Sequence, residues 1–109
     1  MQLSAFGPRG LTANIAANQT ASAPVKVVSS PSNFSTYQFV NVGGNTVYFA
    51  WDTTGGQAAA IPVAGTPAQG VPILSNEIVI YSLAPQAYIS VICETGKTSN
   101  LLVTVGEGM

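Results

Sequence analysis

The side chains that could carry acid–base or metal chemistry are few and lie far apart along the chain. The 109 residues include no histidine, three basic side chains and four carboxylates, Asp52, Glu77, Glu94 and Glu107. Without histidine neither a Ser-His-Asp triad nor a Cys-His dyad can form, and the usual zinc sites need more Cys and His. A pair of carboxylates could hydrolyse a glycosidic bond, but Glu77 and Glu94 fall at the ends of predicted strands, where charges are usually solvated. We therefore expect no enzymatic activity, no cofactor and no bound metal.

The remaining candidates for chemistry have simpler structural interpretations. Cys93 lies in the apolar run AYISVICE with no histidine to activate it, which favours a buried small side chain. The glycine pairs at 43–44 and 55–56 lack the strand, lysine and helix that make a phosphate-binding loop, so they indicate turns. Three scattered basic residues form no patch for nucleic acid.

Composition points to a surface that meets other protein. Charged residues make up 6% of the chain and the formal net charge is −1, whereas an ordinary soluble domain has about 25% charged residues. The length suits one domain with one modest core. No run approaches the ~20 apolar residues of a membrane-spanning helix, and the start MQLSAFGPRG lacks a secretory pattern. We expect synthesis in the cytoplasm and no membrane partner.

The chain divides near residue 23. Residues 1–23 mix Ala, Asn, Gln and Thr with thinly spread apolar side chains, and Gly7, Pro8 and Gly10 interrupt any helix. This segment is predicted to be an extended N-terminal arm, either frayed or ordered on a partner subunit. The predicted partner-contact residues are Leu3, Phe6, Leu11 and Ile15.

Residues 24–109 show short β-rich runs separated by turn residues. Predicted strands cover 25–28, 34–42 and 46–51, then 76–83, 87–94 and 100–105, with a broad loop over 53–72 that holds a short strand near 60–63. Gly43, Gly44 and Asn45 predict a hairpin, and the last three strands predict an antiparallel meander. Trp51, Phe49 and Val47 share one face and are predicted to be core residues. The fold class is all-β: a small antiparallel β-sandwich or barrel with jelly-roll-like packing and the N-terminal arm.

Three runs of the β region also resemble a known group of proteins. TYQFVNVGGNTVYFAWD, GVPILSNEIVIYSL and AYISVICETGKTSNLLVTVGEGM are similar to turn and core patterns in small virion structural proteins of tailed bacteriophages. The resemblance spans about residues 36–109 and includes no catalytic signature. It implies a capsid decoration (cement) protein or a head-fibre component, with the major capsid protein as partner and a homotrimer as the assembled form.

The predicted function is therefore capsid decoration on the outer surface of a virion, where the protein would stabilise contacts between major capsid protein subunits. A tail, fibre or head-to-tail component is an alternative within the same class. A carbohydrate-binding β-sandwich module is an alternative from another class, because aromatic side chains could stack on sugars: Tyr37, Tyr48, Trp51, Tyr81 and Tyr88.

Overall fold

Eight β-strands form two four-stranded antiparallel sheets in residues 7–27 and 34–107, the part of the chain that this computed structural model describes. The strands are β1 (Gly7–Ala17), β2 (Val25–Lys26), β3 (Thr36–Asn41), β4 (Val47–Asp52), β5 (Val71–Ile73), β6 (Ile78–Ser82), β7 (Tyr88–Ile92) and β8 (Ser99–Glu107). Over these residues we find no helix with the length and apolar character needed to cross a bilayer.

The strand order identifies the type of sandwich. The first sheet runs β1-β8-β3-β6 and the second β2-β7-β4-β5. Consecutive strands lie in opposite sheets except for β4 and β5, which pair with each other. Two facing four-stranded sheets with this alternation form a jelly roll. The predicted all-β sandwich with jelly-roll packing is thus confirmed.

Two local predictions about strand pairing are wrong. Residues 42–46 do not close a hairpin, because β3 pairs with β6 and β8 whereas β4 pairs with β5 and β7. The last three strands form no meander either, since β7 lies in the sheet opposite β6 and β8. In both places a short connection crosses between sheets, which lie about 10 Å apart. A few residues suffice for that distance, so loop length alone does not distinguish a crossing from a hairpin.

The broad loop over 53–72 is also partly wrong. It contains the start of β5, and Val71 pairs with Phe49 of β4. The short strand predicted near 60–63 is reduced to a single bridge between Val63 and Thr66.

The division at residue 23 is wrong for the described part of the segment. Residues 7–17 form β1, which pairs with β8 from Gly7 opposite Glu107 to Ala17 opposite Ser99. Ile15 is 3% exposed and belongs to the core, so it is no arm residue. Leu11 is 80% exposed and lies where the register shifts between Pro8 and Thr12.

Four aromatic rings occupy the space between the sheets. Phe39 of β3 stacks on Phe49 of β4 with ring centroids 4.5 Å apart, and Tyr81 packs edge-on against Phe39 at 5.8 Å. Tyr37 is fully buried, and its hydroxyl donates to the Ala84 carbonyl at 2.7 Å and accepts from the Ala87 amide at 3.1 Å. Stacking therefore joins the sheets, and the Tyr37 hydroxyl anchors the β6–β7 connection.

The predicted core role of β4 is confirmed for two of its three residues. Val47 and Phe49 are buried. Trp51 is only half-buried and packs against the margin of the core, opposite Ile89 near the end of the β4–β7 ladder.

Asn41 fixes the crossing from β3 to β4. Its buried amide nitrogen donates to the carbonyls of Asn45, at 2.8 Å, and Ile73, at 2.9 Å. Its side-chain oxygen accepts from the Gly43 amide, at 3.1 Å, and the Ser99 hydroxyl, at 2.6 Å. The chain passes Ser99 so closely that a Cβ on Gly43 would lie 2.8 Å from the Ser99 Cα, which explains the glycine. One side chain thus joins the crossing to β5 and β8.

Asn41→Ala is expected to lower the free energy of unfolding by about 2–4 kcal/mol, because it leaves the Ile73 carbonyl and Ser99 hydroxyl without these partners inside the protein. The matched control is Asn45→Ala, which removes an exposed bond from the Asn45 amide to the Thr98 carbonyl and should change stability by about 0.5 kcal/mol or less. Equilibrium unfolding in urea measures both. Equal losses in the two variants would contradict this role for Asn41.

Candidate functional site

The four carboxylates have separate structural partners. Glu107 forms an exposed ion pair with Arg9, at 2.7 Å, and Glu77 accepts a hydrogen bond from the Leu74 amide, at 2.8 Å. Glu94 accepts from the Tyr48 hydroxyl at 3.4 Å. Within residues 7–27 and 34–107, no three His, Cys, Asp or Glu side chains group as a metal site would require.

Asp52 organises the turn after β4. Its carboxylate accepts from the Gly55 amide at 2.8 Å, the Thr54 hydroxyl at 3.0 Å and the Gly56 amide at 3.1 Å. Desolvation raises the pKa of this carboxyl, but the hydrogen bonds together outweigh it and hold the pKa below the ordinary value of 3.8. Asp52 is therefore ionised at neutral pH, and its carboxylate stabilises the turn that follows β4.

Cys93 is a buried free thiol, as predicted. Burial raises its pKa, and the negative charge of Glu94 raises it further. The thiol is therefore protonated at neutral pH, which is the unreactive form.

The predicted partner-contact residues do not form one surface. Leu3 and Phe6 lie outside the described residues. Leu11 projects from the irregular start of β1, whereas Ile15 faces the core.

The outer face of the first sheet is a regular surface built from four strands. The alternation of side chains points Tyr37 and Phe39 into the core and places Gln38 and Val40 outside. The register then defines this outer face as twelve residues from four strands, of which Thr36 is itself buried: Thr12, Asn14 and Ala16; Thr36, Gln38 and Val40; Ile78, Ile80 and Ser82; Asn100, Leu102 and Thr104. None of them is charged.

Apolar and polar side chains both contribute to this outer face. Towards β6, Ile78 is 58% exposed and pairs with Val40, which in turn pairs with Leu102. Towards β1, side chains bond to each other along the surface. The hydroxyls of Thr12 and Thr104 lie 2.7 Å apart, and the Asn100 amide donates to the Asn14 side-chain oxygen at 2.9 Å. The result is a regular surface without charge, on which apolar side chains lie among amide and hydroxyl groups.

The outer face of the second sheet is partly covered by other segments of the chain. Ser90 points outward yet is fully buried, because its hydroxyl accepts from the Ala59 amide at 3.0 Å and donates to the Ser22 carbonyl at 2.8 Å. The Lys26 ammonium lies 6.0 Å from the centre of the Tyr88 ring. The two sheets therefore present unlike surfaces.

The aromatic residues considered for sugar stacking are dispersed. Tyr37 and Tyr81 contact the aromatic core, and Trp51 lies at its margin. Tyr48 and Tyr88 occupy different rows of the second sheet, and Tyr88 packs against Gly55. They form no shared platform for a sugar ring.

A polar cavity of about 200 Å³ lies near the β3–β4 crossing. It is lined by Gly44, Asn45, Thr46, Ser75, Glu94 and Lys97. Desolvation raises the pKa of the adjacent Tyr48, as does the charge of Glu94, so its hydroxyl remains a donor at neutral pH. Every buried side-chain nitrogen and oxygen in the described residues already has a hydrogen-bond partner.

Comparison with known proteins gives a likeness of fold. No protein-family model matches the chain, and no curated protein matches it. Among solved structures, PirA superposes with a TM-score of 0.50 at 11% identity, over 86% of this chain and 92% of PirA. FeII HppE gives a TM-score of 0.46 at 4% identity, over 95% of this chain and 45% of that chain. At such identities the likeness to PirA concerns the β-sandwich alone.

Proposed function

We propose that this protein is a structural component of a bacteriophage virion, made in the host cytoplasm and bound as a decoration protein to the outer capsid surface. It would stabilise contacts between major capsid protein subunits by binding and would catalyse no reaction. The observation that carries the proposal is the uncharged outer face of the first sheet, a broad surface composed of four strands. The sequence resemblance to small phage virion proteins supplies the biological setting.

The chemistry of this surface suits contact with a folded protein. Ile78, Val40 and Leu102 offer apolar area, and burial of such area contributes roughly 25 cal/mol per Å² before the entropic costs of association. The threonine and asparagine side chains towards β1 can exchange their mutual bonds for bonds to a partner. A surface of this kind recognises shape and hydrogen-bonding groups and does not attract a charged ligand.

The location can be tested by electron microscopy of purified particles of the phage that encodes the chain, with and without the protein. We expect density over the capsid that disappears when the gene is deleted and returns when purified protein is added. Density confined to the tail would indicate a tail or fibre component instead. Particles that never contain the protein would overturn the virion assignment altogether.

The binding surface can be tested with charge substitutions and salt. Thr104→Lys places a charge in the middle of the uncharged face and should weaken binding to decoration-free capsids at least tenfold, because the ammonium loses water on contact. Ala68→Lys, on an exposed loop, is the matched control and should bind as wild type does. Raising sodium chloride from about 0.05 to 0.5 M should change wild-type affinity little, since that range screens exposed ion pairs. A tenfold loss in salt, or equal binding by both variants, would contradict the proposed surface.

A further inference from the structure

The four outer edges of the two sheets differ in how open they are to another strand. In the second sheet, β5 is three residues long and contains Pro72, and β2 has two residues, one of them Lys26. In the first sheet, β1 begins with a shift of register between Pro8 and Thr12, where Arg9 is exposed. Charges, proline, bulges and short length are the features that prevent strand addition at an edge. The fourth edge, β6, has five residues with no charge and no proline.

The hydrogen-bonding pattern shows which groups β6 presents at this edge. The Asn41 amide donates to the Glu77 carbonyl at 3.1 Å, and the Leu83 amide donates to the Ser35 carbonyl at 2.8 Å. Given the register of β3 with β6, the odd-numbered residues of β6 therefore bond to β3. The amides and carbonyls of Ile78, Ile80 and Ser82 point the other way, and no further strand of the described residues lies beyond them.

We propose that β6 pairs antiparallel with β6 of a second copy of this chain, with the two-fold axis at Ile80. This register sets Ile80 opposite Ile80 of the other copy, and Ile78 opposite Ser82 in both directions. The three amides and three carbonyls that each edge presents then all find partners, and the two first sheets join into one sheet of eight strands. The arrangement follows from the strand's own spacing and does not depend on the proposed virion function.

The side chains around this axis are compatible with a symmetric contact. Two Ile80 side chains meet on the outer face, and Ile78, 58% exposed in the single chain, gains a neighbour. Continuing the register places Glu77 opposite Leu83, so like charges do not face each other. A two-fold pair also predicts a dimer in solution, in place of the trimer that the resemblance to phage proteins implies.

Light scattering after size-exclusion chromatography gives the first test without any substitution. At about 100 µM, where a contact of micromolar affinity is mostly occupied, the wild-type protein should have a mass of about 22 kDa, twice the 11.1 kDa of the chain. A mass of one chain or of three chains would overturn the proposal.

Charge exchange at the axis tests the register. Ile80→Lys and Ile80→Glu should each give single chains, because like charges face each other across the axis, whereas an equimolar mixture should return to the dimer mass. Thr12→Lys is the matched control: it lies in the same row of the same face, three strand spacings or about 14 Å away, and should remain a dimer. Circular dichroism checks that each variant is folded.

Either charged variant alone remaining a dimer, or a mixture that stays monomeric, would show that residue 80 does not face itself and would overturn the register. These outcomes are independent of capsid binding. A dimer that fails to bind capsids would contradict the proposed function and leave the pairing intact, and a monomer that decorates capsids would do the reverse.

Discussion

Deletion of residues 1–20 is expected to abolish folding of the domain. The deletion removes β1, which pairs with β8 between Gly7 and Ala17, and it takes Ile15 and Ala17 out of the core. It also uncovers the inner side chains of β8, among them Leu101 and Val103, which are fully buried. Loss of a single large core side chain costs about 2–5 kcal/mol, and a domain has about 5–15 kcal/mol in total, so removal of a whole strand exceeds what the domain can tolerate.

The control for this deletion is removal of residues 1–6, which keeps every described contact of β1 and should leave the thermal midpoint nearly unchanged. Far-UV circular dichroism and urea unfolding distinguish the two chains. A cooperative unfolding transition in the chain lacking residues 1–20 would contradict the role of β1 and would restore the hypothesis of a separable arm.

Phe49→Ala is expected to cost about 3–5 kcal/mol of unfolding free energy. Phe49 is 1% exposed and contacts two rings from the opposite sheet, Phe39 at 4.5 Å and Tyr81 at 5.6 Å between centroids. Its truncation leaves a cavity between the sheets, where neighbouring strands can relax only in part.

Trp51→Ala in the same strand provides the comparison. Trp51 is the larger side chain, but it is half-buried at the margin of the core. Truncation at the margin leaves a space that solvent and neighbouring side chains can fill, whereas truncation of Phe49 leaves an enclosed cavity, so we expect a smaller loss than that seen for Phe49. Urea unfolding of the two variants shows whether the size of the side chain or its position in the core determines the loss of unfolding free energy. A larger loss for Trp51→Ala would mean that this indole, and not the stacked phenyl rings, contributes most to the core.

The sequence predicts the strands well because the segments with aromatic and β-branched residues are those that the fold buries. Predicted strands at 46–51, 76–83 and 87–94 overlap β4, β6 and β7. The pairing was harder to predict, since β propensity describes a half-buried surface and does not identify the neighbour. Asn41 was the available signal: a polar residue in phase with Tyr37 and Phe39 must find partners inside, and it does so by anchoring a crossing between sheets.

The strand β1 escaped prediction for a different reason. Its regularly paired part, TANIAA at 12–17, consists mainly of residues with low β propensity, and Gly7, Pro8 and Gly10 lie in its first four residues. β1 is stabilised instead by its pairing with β8 and by the burial of Ile15 and Ala17, which outweigh the low β propensity of its residues.

The sequence predicts that the molecule has a surface with few charges but does not predict where on the fold that surface lies. Six per cent charged residues already implied large uncharged areas on the molecule. Assigning them to one sheet face required the register, which sets Gln38 and Thr104 side by side although 66 positions separate them in sequence. The predicted contact residues Leu11 and Ile15 lie in a segment that the sequence predicts to be unpaired, and pairing of β1 separates them into exposed and buried positions.

The position of β8 between β1 and β3 has a consequence for synthesis on the ribosome. β1 ends at Ala17 and its partner begins at Ser99, so at about 5–20 residues per second the nascent β1 waits roughly 4 to 16 seconds before pairing is possible. A strand rich in valine, isoleucine and aromatic residues would be prone to aggregate during that interval. β1 is rich in alanine, asparagine and threonine, so it is less prone to aggregate before β8 is synthesised. The low β propensity that makes β1 hard to predict therefore also limits aggregation of the nascent chain.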